Sequence, residues 1–327
     1  MKFFEKKKIY AFFVDFKAAF DRVSRYSLIY KLHTLGISTK IINFIQSIYN
    51  NTKSAVWTGS ELSDYFETYT GVKQGCLLSP LLFTLYLNDL HEYLGGGLMV
   101  DGINIRLLLY TDDIVLLADD IVVMQEMVNN LERYCELWNM EVNMRKSEMM
   151  VFRKSGRLSV HEKIKYKQQY VNIVNEYCYL GVLLTPKMSF KKHLEKRNNS
   201  AKNSINATWS TFLNKPNISL ANKWKLFQSV CRSIQTYAAQ VWGCWMFDDV
   251  DKLQRYFIKR ILRLPEFTPN YALILETNAE SSYIYTLNLH MNFIFKCLLQ
   301  YPPRRLPHTL RVLSLRYNII WDLRSLI

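Results

Sequence analysis

Two adjacent aspartates, Asp112 and Asp113, follow one short apolar run and directly precede another, residues 114–118. Runs of this length and composition predict buried strands, so we expect the acidic pair in a tight turn between two strands. Residues 9–16 also predict a buried strand, with Asp15 at its end. Carboxylates at separate strand ends can supply the hard oxygen ligands of a divalent cation while substrate phosphates complete its coordination. This pattern favours a fold in which buried strands end at an acidic site.

Helix and hairpin patterns surround these strands. Residues 81–94 are apolar on nearly every face and predict one helix buried inside the domain. The dipeptide Asp101-Gly102 predicts a hairpin that returns into residues 103–109. Val142 and residues 150–152 indicate a further strand region. The order of strand, helices, hairpin, helix and strand predicts an α+β fold rather than an alternating doubly wound sheet.

A second acidic pair, Asp119 and Asp120, precedes residues 121–138, whose apolar side chains recur at helical spacing. Acids in this position commonly cap the free amide groups at the start of a helix. We therefore exclude this pair from the predicted active site.

Past Gly181 the periodicity of the sequence becomes helical. One predicted helix, residues 250–264, has two distinct faces. Its apolar stripe contains Val250, Leu253, Phe257, Ile261 and Leu264. Its basic stripe contains Lys252, Arg255, Lys259 and Arg263. The apolar face would pack, and the basic face would offer charge either to solvent or to phosphate.

The positive charge of the chain lies in its second half. Residues 1–157 contain 18 Lys and Arg against 18 Asp and Glu, whereas residues 158–327 contain 24 against 10. A neutral half that carries the acids and a basic half suit a protein that performs metal chemistry in one part and holds polyanions in the other. An ordinary basic surface is the alternative explanation.

The six cysteines are scattered and include no Cys-x-x-Cys pair, which predicts reduced thiols in an intracellular protein of the nucleus, the cytoplasm or both. No apolar run approaches the roughly 18 residues of a membrane span, and no signal peptide or anchor is evident. We therefore expect no membrane partner.

Five segments resemble, in order and spacing, the motifs of reverse transcriptases from non-LTR retrotransposons, especially jockey-like insect elements. The third segment departs from the family pattern, because alanine is expected at the position of Thr111. The segments are Phe13-Val14-Asp15-Phe16-Lys17-Ala18-Ala19-Phe20-Asp21; Gly71-Val72-Lys73-Gln74-Gly75-Cys76-Leu77-Leu78-Ser79-Pro80; Tyr110-Thr111-Asp112-Asp113; Trp138 through Val142-Asn143, Lys146-Ser147 and Val151-Phe152; and Tyr179-Leu180-Gly181.

The resemblance implies an RNA-directed DNA polymerase that uses two Mg²⁺ ions, with Mn²⁺ as an alternative. Its partners would be an RNA template, a DNA primer and dNTP substrates. Asp15 and Asp112 would bind both ions, Asp113 would have a lesser role, and the carbonyl of Phe16 would be a further ligand. The implied nucleotide-binding residues are Ala18, Ala19, Phe20, Gln74 and Gly75. Among them, Phe20 would exclude ribonucleotides through a clash with the 2′-hydroxyl.

Further roles follow from the same resemblance. Lys146 would donate a proton or positive charge to the departing pyrophosphate. The segment formed by Tyr179, Leu180 and Gly181 would be the primer grip. Weaker likenesses around His193 and Trp242 extend the resemblance into the basic half, where the stripe of Lys252, Arg255, Lys259 and Arg263 would face nucleic acid.

The resemblance implies the palm of a right-hand polymerase, an antiparallel sheet packed on helices, followed by a helical thumb. We assign residues 1–186 to the palm with partial fingers and primer grip, 187–265 to a basic thumb and 266–327 to a C-terminal connection-like helical region. The chain begins fourteen residues before Asp15. We therefore expect a fragment, truncated before the first palm motif, with most of the fingers missing and impaired activity.

Three alternatives compete with this interpretation. Phe20 and the Gln74-Gly75 pair argue against a viral RNA-dependent RNA polymerase, and the sequence around Trp242 argues against a group II intron maturase. A catalytically inactive, nucleic-acid-binding remnant of a retrotransposon stays open.

Overall fold

The structure, a computed structural model, describes residues 8–100, 102–159, 161–245 and 248–299. The chain divides into two compact units, and the boundary falls between Glu176 and Tyr177. Asp101 of the predicted hairpin and residues 300–327 of the predicted C-terminal region lie outside the described residues. The first unit combines a sheet with helices and the second is mainly helical, which confirms the predicted α+β class.

The first unit begins with the central strand of its main sheet and then alternates between helices and short strands. Its elements are β1 (Ile9–Val14), α1 (Arg25–Thr34), α2 (Thr39–Tyr49), β2 (Lys53–Ser54), β3 (Phe66–Glu67), α3 (Ser79–Tyr86), α4 (Leu90–Leu94), β4 (Leu98–Val100), β5 (Ile103–Ile105), β6 (Leu107–Tyr110), β7 (Asp113–Ala118), α5 (Ile121–Leu137), β8 (Glu148–Phe152), β9 (Lys165–Tyr166), β10 (Gln169–Tyr170) and β11 (Asn172–Ile173).

The main sheet has the strand order β11-β8-β1-β7-β6. Strand β1 pairs antiparallel with both β7 and β8, whereas β11 joins β8 in parallel at the edge. The sheet is therefore antiparallel, as predicted, except at that edge. Because side chains alternate along a strand, Tyr10, Phe12 and Val14 share one face, and they pack into the main core with residues of α1 to α5.

The strand predicted over residues 114–118 and the helix predicted over residues 121–138 are confirmed, as β7 and α5. The carboxylate of Asp120 accepts a hydrogen bond from the Val122 amide at 2.7 Å, so it caps α5 as expected. The predicted run 103–109 is divided, because β5 pairs with β4 and β6 pairs with β7. Val142 contributes only an isolated bridge to Phe16 instead of joining β8.

The prediction of one continuous helix over residues 81–94 is wrong, because the chain forms α3 and α4 with a break at residues 87–89. The break follows from the partners of the Tyr86 carbonyl. This oxygen accepts hydrogen bonds from the Lys31 ammonium group at 2.6 Å and the Tyr134 hydroxyl at 3.2 Å. A carbonyl held in this way from two other helices does not continue the helical ladder.

Lys31 is buried, and its charge is satisfied within the first unit. Its ammonium group donates to the Asp89 carboxylate at 2.6 Å and lies 3.7 Å from the centre of the Trp138 ring. Burial lowers the pKa of Lys31 to about 8, while the hydrogen bond and charge of Asp89 act in the opposite direction. Lys31 therefore fixes α1 against the end of α3.

The second unit starts with a hairpin and continues in helices. Its elements are β12 (Tyr177–Tyr179), β13 (Val182–Leu184), α6 (Lys191–Thr208), α7 (Leu220–Leu226), α8 (Ser233–Gln235), α9 (Ala239–Trp242), α10 (Asp248–Ile261), α11 (Asn270–Thr277) and α12 (Ser282–Leu299). Two π-helical segments, Trp209–Leu213 and Phe227–Arg232, directly follow α6 and α7. None of the helices in the described residues is long and apolar enough to cross a membrane.

The predicted helix over residues 250–264 begins earlier and ends earlier, as α10. Arg263 adopts a positive φ of 56°, and the Leu264 amide donates to the Lys259 carbonyl at 2.8 Å, which is the pattern of a left-handed helix cap. Leu264 precedes Pro265, and a residue before proline disfavours the helical conformation. Leu264 is consequently partly exposed and does not belong to the packed stripe.

Candidate active site

Asp15 follows the last residue of β1 and is held by the turn at residues 143–147. Its backbone amide donates to the Ser147 hydroxyl at 3.0 Å, and its carbonyl accepts from the Asn143 amide at 2.7 Å. The side-chain amide of Asn143 also donates to Oδ2 of the Asp15 carboxylate at 3.0 Å. The carboxylate is therefore oriented through one oxygen, while Oδ1 has no hydrogen-bond partner among the residues that the structure describes.

Asp112 and Asp113 lie at the turn between β6 and β7, as predicted. Tyr110 pairs with Asp113 across the strands, so Thr111 and Asp112 are the two central residues of the turn. Thr111 has a positive φ of 53°, which is rare for a β-branched residue. Its single hydroxyl hydrogen is shared between the Tyr110 carbonyl, 2.7 Å away, and Oδ1 of Asp112, 3.1 Å away, so a side-chain hydrogen bond helps to hold this turn.

The structure brings the three aspartates together at one edge of the main sheet. Because Val14 pairs with Ile114, the neighbouring residues Asp15 and Asp113 lie side by side where β1 ends and β7 begins. Burial raises the pKa of Asp113, and the negative charges of Asp112 and Asp15 raise it further. The carboxylates are therefore close enough to repel one another.

The end of the sheet that carries Asp15, Asp112 and Asp113, here called the acidic edge, suits a cation that also takes ligands from outside this chain. Within the described residues, none of the three aspartates forms an ion pair, and no group of three or more His, Cys, Asp or Glu side chains is arranged to hold a metal ion. Converging carboxylates without a positive partner fit a divalent ion whose remaining ligands come from a bound substrate. They do not form a closed cage made by the protein alone.

Phe20 is half-buried and lies in the loop after β1. Its ring stacks on that of Phe83, which is fully buried in α3, with centroids 4.9 Å apart and planes inclined by 24°. Its carbonyl accepts a hydrogen bond from the Val72 amide at 2.8 Å. The first two sequence motifs are therefore joined at the backbone of Phe20, and its ring packs on the helix that follows the second motif.

The turn after Asp15 contains Phe16, whose carbonyl is predicted as a metal ligand, and Ala18 and Ala19, whose backbone is predicted to meet the triphosphate. Phe16 is buried, Ala18 is exposed with a positive φ of 47°, and Ala19 is buried. The Ala18 carbonyl accepts hydrogen bonds from the amides of Asp21 and Arg22, both at 3.0 Å. Ala18 is thus the member of the three that reaches solvent.

Gln74 and Gly75 lie in an exposed loop before α3. The side-chain amide of Gln74 donates to both carboxylate oxygens of Asp21, at 3.1 and 3.2 Å. Gly75 has a φ of 79°, and a Cβ atom at this position would meet nothing within 4 Å. Glycine is therefore favoured here by the backbone conformation, and the space beside it is open.

Lys146 is exposed in the same turn that orients Asp15. Its backbone amide donates to the Asn143 carbonyl at 3.0 Å. Its ammonium group has no hydrogen-bond or ion-pair partner in the part of the chain that the structure describes. It lines a groove of about 920 Å³ together with Lys17 and Arg22, both of which pair with Glu141.

The predicted primer-grip residues form the hairpin between β12 and β13 in the second unit. Leu180 and Gly181 have positive φ values of 46° and 77°, which is the signature of a two-residue type I′ turn. The Tyr237 hydroxyl donates to the Leu180 carbonyl at 2.8 Å, and the Arg197 guanidinium donates to the Gly181 carbonyl at 2.5 Å. Both carbonyls of the turn are therefore held by side chains from the helical part of this unit, Arg197 from α6 and Tyr237 from the turn between α8 and α9.

The four basic residues predicted on one helix face have different surroundings. Lys252 pairs with Asp249 at 2.5 Å, and the ammonium group of Lys259 donates to a backbone carbonyl in the loop after α10 at 2.6 Å. Arg255 is half-buried on α10, whereas Arg263 is exposed beyond its end. They do not form one free helical stripe.

Several supporting residues received no role from the sequence. Asn143, Ser147 and Asp21 lie inside the motifs, so the motif boundaries were a usable signal for them. Arg197 and Tyr237 act on a turn many residues away, and neither carries a local signal for that contact. Their roles depend on how the helices pack.

Residues 3–184 match the family model described as reverse transcriptase (RNA-dependent DNA polymerase). The match covers more than half of the chain and includes all three aspartates of the acidic edge. The chain belongs to the reverse transcriptase family. The resemblance inferred from the five motifs is thereby confirmed.

Relatives of this reverse transcriptase chain include non-LTR elements of insects. It is 26% identical to the RNA-directed DNA polymerase from mobile element jockey of Drosophila funebris, over 80% of the chain and 29% of that relative. It is 24% identical to the probable RNA-directed DNA polymerase from transposon X-element of Drosophila melanogaster, over 74% of the chain and 26% of that relative. The chain spans less than a third of the length of these relatives.

Solved structures similar to this reverse transcriptase chain include telomerases of Candida tropicalis. A telomerase in complex with the TWJ fragment of telomeric RNA aligns with 94% of the chain and 49% of its own length, with a TM-score of 0.43 and 15% identity. The apo telomerase aligns with 94% and 53%, with a TM-score of 0.42 and 13% identity.

Proposed function

We propose that this chain carries an RNA-directed DNA polymerase site that joins a dNTP to a primer 3′-hydroxyl by two-metal nucleotidyl transfer. The observation that carries the proposal is the convergence of Asp15, Asp112 and Asp113 at one sheet edge, where burial and then the charges of Asp112 and Asp15 raise the pKa of Asp113. When bound, two divalent ions, Mg²⁺ or Mn²⁺, activate the hydroxyl and neutralise the leaving pyrophosphate. Asp15 and Asp112 would hold both ions, supported by Asp113 and the Phe16 carbonyl.

The protein contributes orientation at this edge. Asn143 and Ser147 fix Asp15 by hydrogen bonds, so its free Oδ1 points to a defined position. A bound cation relieves the repulsion among the three carboxylates. The site is therefore more stable with a cation than with water alone. Lys146, on the turn that orients Asp15, would supply the proton or positive charge that the departing pyrophosphate needs.

The nucleotide would lie between the loop after β1 and the loop before α3. The backbone at Ala18 and Ala19 would meet the triphosphate, and the open space beside Gly75 would admit the nucleotide or the template. The ring of Phe20, supported by Phe83, would exclude a ribose 2′-hydroxyl. Gln74, whose side chain is hydrogen-bonded to Asp21, would lie against the incoming nucleotide and the template.

The second unit would hold the RNA template and the DNA primer. The turn of Tyr179, Leu180 and Gly181, braced by Arg197 and Tyr237, would be the primer grip. Lys252, Arg255, Lys259 and Arg263 would contact phosphates in the manner of a polymerase thumb.

Primer extension on an RNA template tests this proposal, with Asp15→Asn and Asp112→Asn as the variants. Each should abolish extension and leave template binding within about twofold, because a neutral amide cannot replace an anionic metal ligand. Asp120→Asn is the matched control, since asparagine also caps a helix and α5 keeps its first turn. Extension at the wild-type rate by either site variant would disprove the assignment.

A second readout does not need turnover. Mg²⁺ should raise the melting temperature of the wild-type chain and of Asp120→Asn, and it should have less effect on Asp15→Asn. If the wild-type chain binds primed template but shows neither extension nor stabilisation by Mg²⁺, the chain is the inactive nucleic-acid-binding remnant instead.

A further inference from the structure

A groove of about 750 Å³ lies in the second unit, between α7, α10 and the segment after α11. Its volume falls within the range of small-ligand sites, which is roughly 300 to 1,000 Å³. Lys223, Trp224 and Arg232 contribute to one wall, and Phe257 and Ile258 contribute apolar surface. None of these residues has a role in the polymerase site proposed above, so the groove is a separate feature of the molecule.

Arg232 is a buried cation with an incomplete set of partners. Only 7% of the residue is exposed, and its guanidinium lies 5.0 to 5.8 Å from the ring centres of Trp224, Phe227 and Tyr285. Nη2 donates to Gln254 at 3.1 Å, but Nε is buried with no hydrogen-bond partner in the described part of the chain. Leaving such a donor unsatisfied costs free energy.

The charge of Arg232 is also uncompensated at short range. Burial lowers the pKa of Arg232, and the charges of Tyr285, Glu280 and Asp251 act more weakly in the opposite direction. No carboxylate among the described residues comes within ion-pair distance of the guanidinium. Asp251 is engaged elsewhere, because it accepts hydrogen bonds from Ser281 and Ser282.

Lys223 adds a second positive charge to the same wall. The residue is 9% exposed, and across the described ranges its ammonium group has neither a hydrogen bond nor an ion pair. A buried guanidinium is costly unless an anion neutralises it, and the unpaired Lys223 ammonium group adds positive charge to the same groove. The groove therefore has the chemistry of an anion-binding site that this chain does not itself fill.

We infer that the groove binds a phosphate group of a nucleic-acid strand. A guanidinium fork and an ammonium group match phosphate oxygens, and the half-buried ring of Trp224 offers a surface on which a base can stack. Glu276 and Glu280 also line the groove and are exposed. They disfavour a highly charged triphosphate and leave room for a phosphodiester with one negative charge.

Fluorescence anisotropy with a short labelled oligothymidylate tests the inference on the full chain over a range of salt concentrations. Arg232→Met and Lys223→Met should each weaken binding about tenfold at low salt. Each should also make the log-log dependence on salt less steep by about 0.7, the value for one lost single-strand phosphate contact. The matched control is Lys225→Met, an exposed lysine of α7 that does not line the groove, which should change binding by less than about twofold.

Lys223→Met keeps the test decisive if Arg232→Met does not fold, because the Lys223 ammonium group forms no hydrogen bond or ion pair within the described chain and methionine keeps the apolar stem. Circular dichroism establishes folding for each variant. Equal affinities and salt slopes for Lys223→Met and Lys225→Met would overturn the inference. The melting temperature of the protein is also measured with an acidic peptide and with oligothymidylate. A rise with the peptide alone, which Lys223→Met abolishes, would overturn the inference and identify a peptide site.

Discussion

The ring of Phe20 stacks on the ring of Phe83 at a centroid distance of 4.9 Å, so a residue of α3 supports the proposed sugar gate. Phe83 is fully buried and lies more than sixty residues after Phe20 in the sequence. The hydrogen bond from Val72 to the Phe20 carbonyl and the contact of Gln74 with Asp21 strengthen the same junction. Selection of the sugar would therefore depend on both motifs.

Sugar selection provides the first prediction. Phe20→Val, or Phe20→Ala, should relax the preference for dNTPs over rNTPs in primer extension, because the clash with the 2′-hydroxyl is removed. Phe83→Leu should relax it to a smaller extent, since the ring of Phe20 loses its support. Phe12→Leu, in the buried centre of β1, controls for a general loss of core volume and should leave the preference unchanged. A wild-type preference in Phe20→Val would remove the proposed role of this ring.

Two glycines with similar φ angles should differ in their tolerance of alanine. Gly71 has a φ of 82°, and a Cβ there would lie 2.9 Å from backbone atoms of Asp21, whereas Gly36 has a φ of 74° and open space. Gly36→Ala should cost about 1 kcal/mol for the left-handed conformation alone. Gly71→Ala should cost about 1 to 3 kcal/mol more, because the backbone must shift. Urea unfolding measures both changes, and equal losses would contradict the collision.

The basic residues near α10 should contribute unequally to template binding. Lys252 and Lys259 are engaged with Asp249 and a backbone carbonyl, whereas Arg263 is exposed beyond the helix. Replacing Arg255 and Arg263 by Gln should therefore weaken binding and flatten its salt dependence by about 0.7 to 0.9 per lost contact. The paired change of Lys252 and Lys259 should have a smaller effect. If all four replacements together leave affinity and salt slope unchanged, these residues form an ordinary solvated surface.

His193 couples the hairpin of the second unit to its first long helix. Nδ1 accepts a hydrogen bond from the Leu183 amide at 3.2 Å, which requires this nitrogen to be unprotonated, and Nε2 lies 3.4 Å from the Tyr237 carbonyl. Burial lowers the pKa of His193, and the charges of Arg197 and Lys196 lower it further, while the Tyr237 carbonyl acts in the opposite direction. The folded protein therefore favours the neutral ring.

A pH dependence of stability follows from this lowered pKa. Below about pH 6.5, the pKa of a histidine in the unfolded chain, the unfolded protein binds a proton that buried His193 does not. The contribution of neutral His193 to the free energy of unfolding is therefore present above that pH and is lost as the pH falls below it. The melting temperature should drop between about pH 7 and pH 5, and His193→Asn, which keeps an acceptor for Leu183, should show a smaller drop. Parallel pH profiles for the two proteins would contradict this assignment.

Local patterns in the sequence were sufficient to predict the strands and the turn that carry the acidic residues. Apolar runs that end in Asp15 and Asp112-Asp113 predict strands and a turn, because burial on both faces and the placement of a charge at a strand end are local properties. The register of β1 with β7 then places the acids together, as expected. Amphipathic spacing likewise predicted α5 and the helices of the second unit.

The orientation of those residues was decided by contacts between distant parts of the chain. The prediction of a single helix over residues 81–94 was wrong because Lys31 and Tyr134 donate hydrogen bonds to the Tyr86 carbonyl. No pattern within residues 81–94 indicates a donor from another part of the chain. The hydrogen bonds from Asn143 to Asp15 and from Gln74 to Asp21 also join residues that are far apart in the sequence.

The sequence by itself determined the family, the position of the three aspartates at strand ends and in a turn, and the helical character of the second half, since these depend on composition and spacing along the chain. Only the tertiary structure decided which side chains are already occupied and which charges are left without partners, as for Lys252 and Arg232. Hydrogen bonds and ion pairs form between groups that packing brings within a few ångströms, and sequence separation carries little information about that distance.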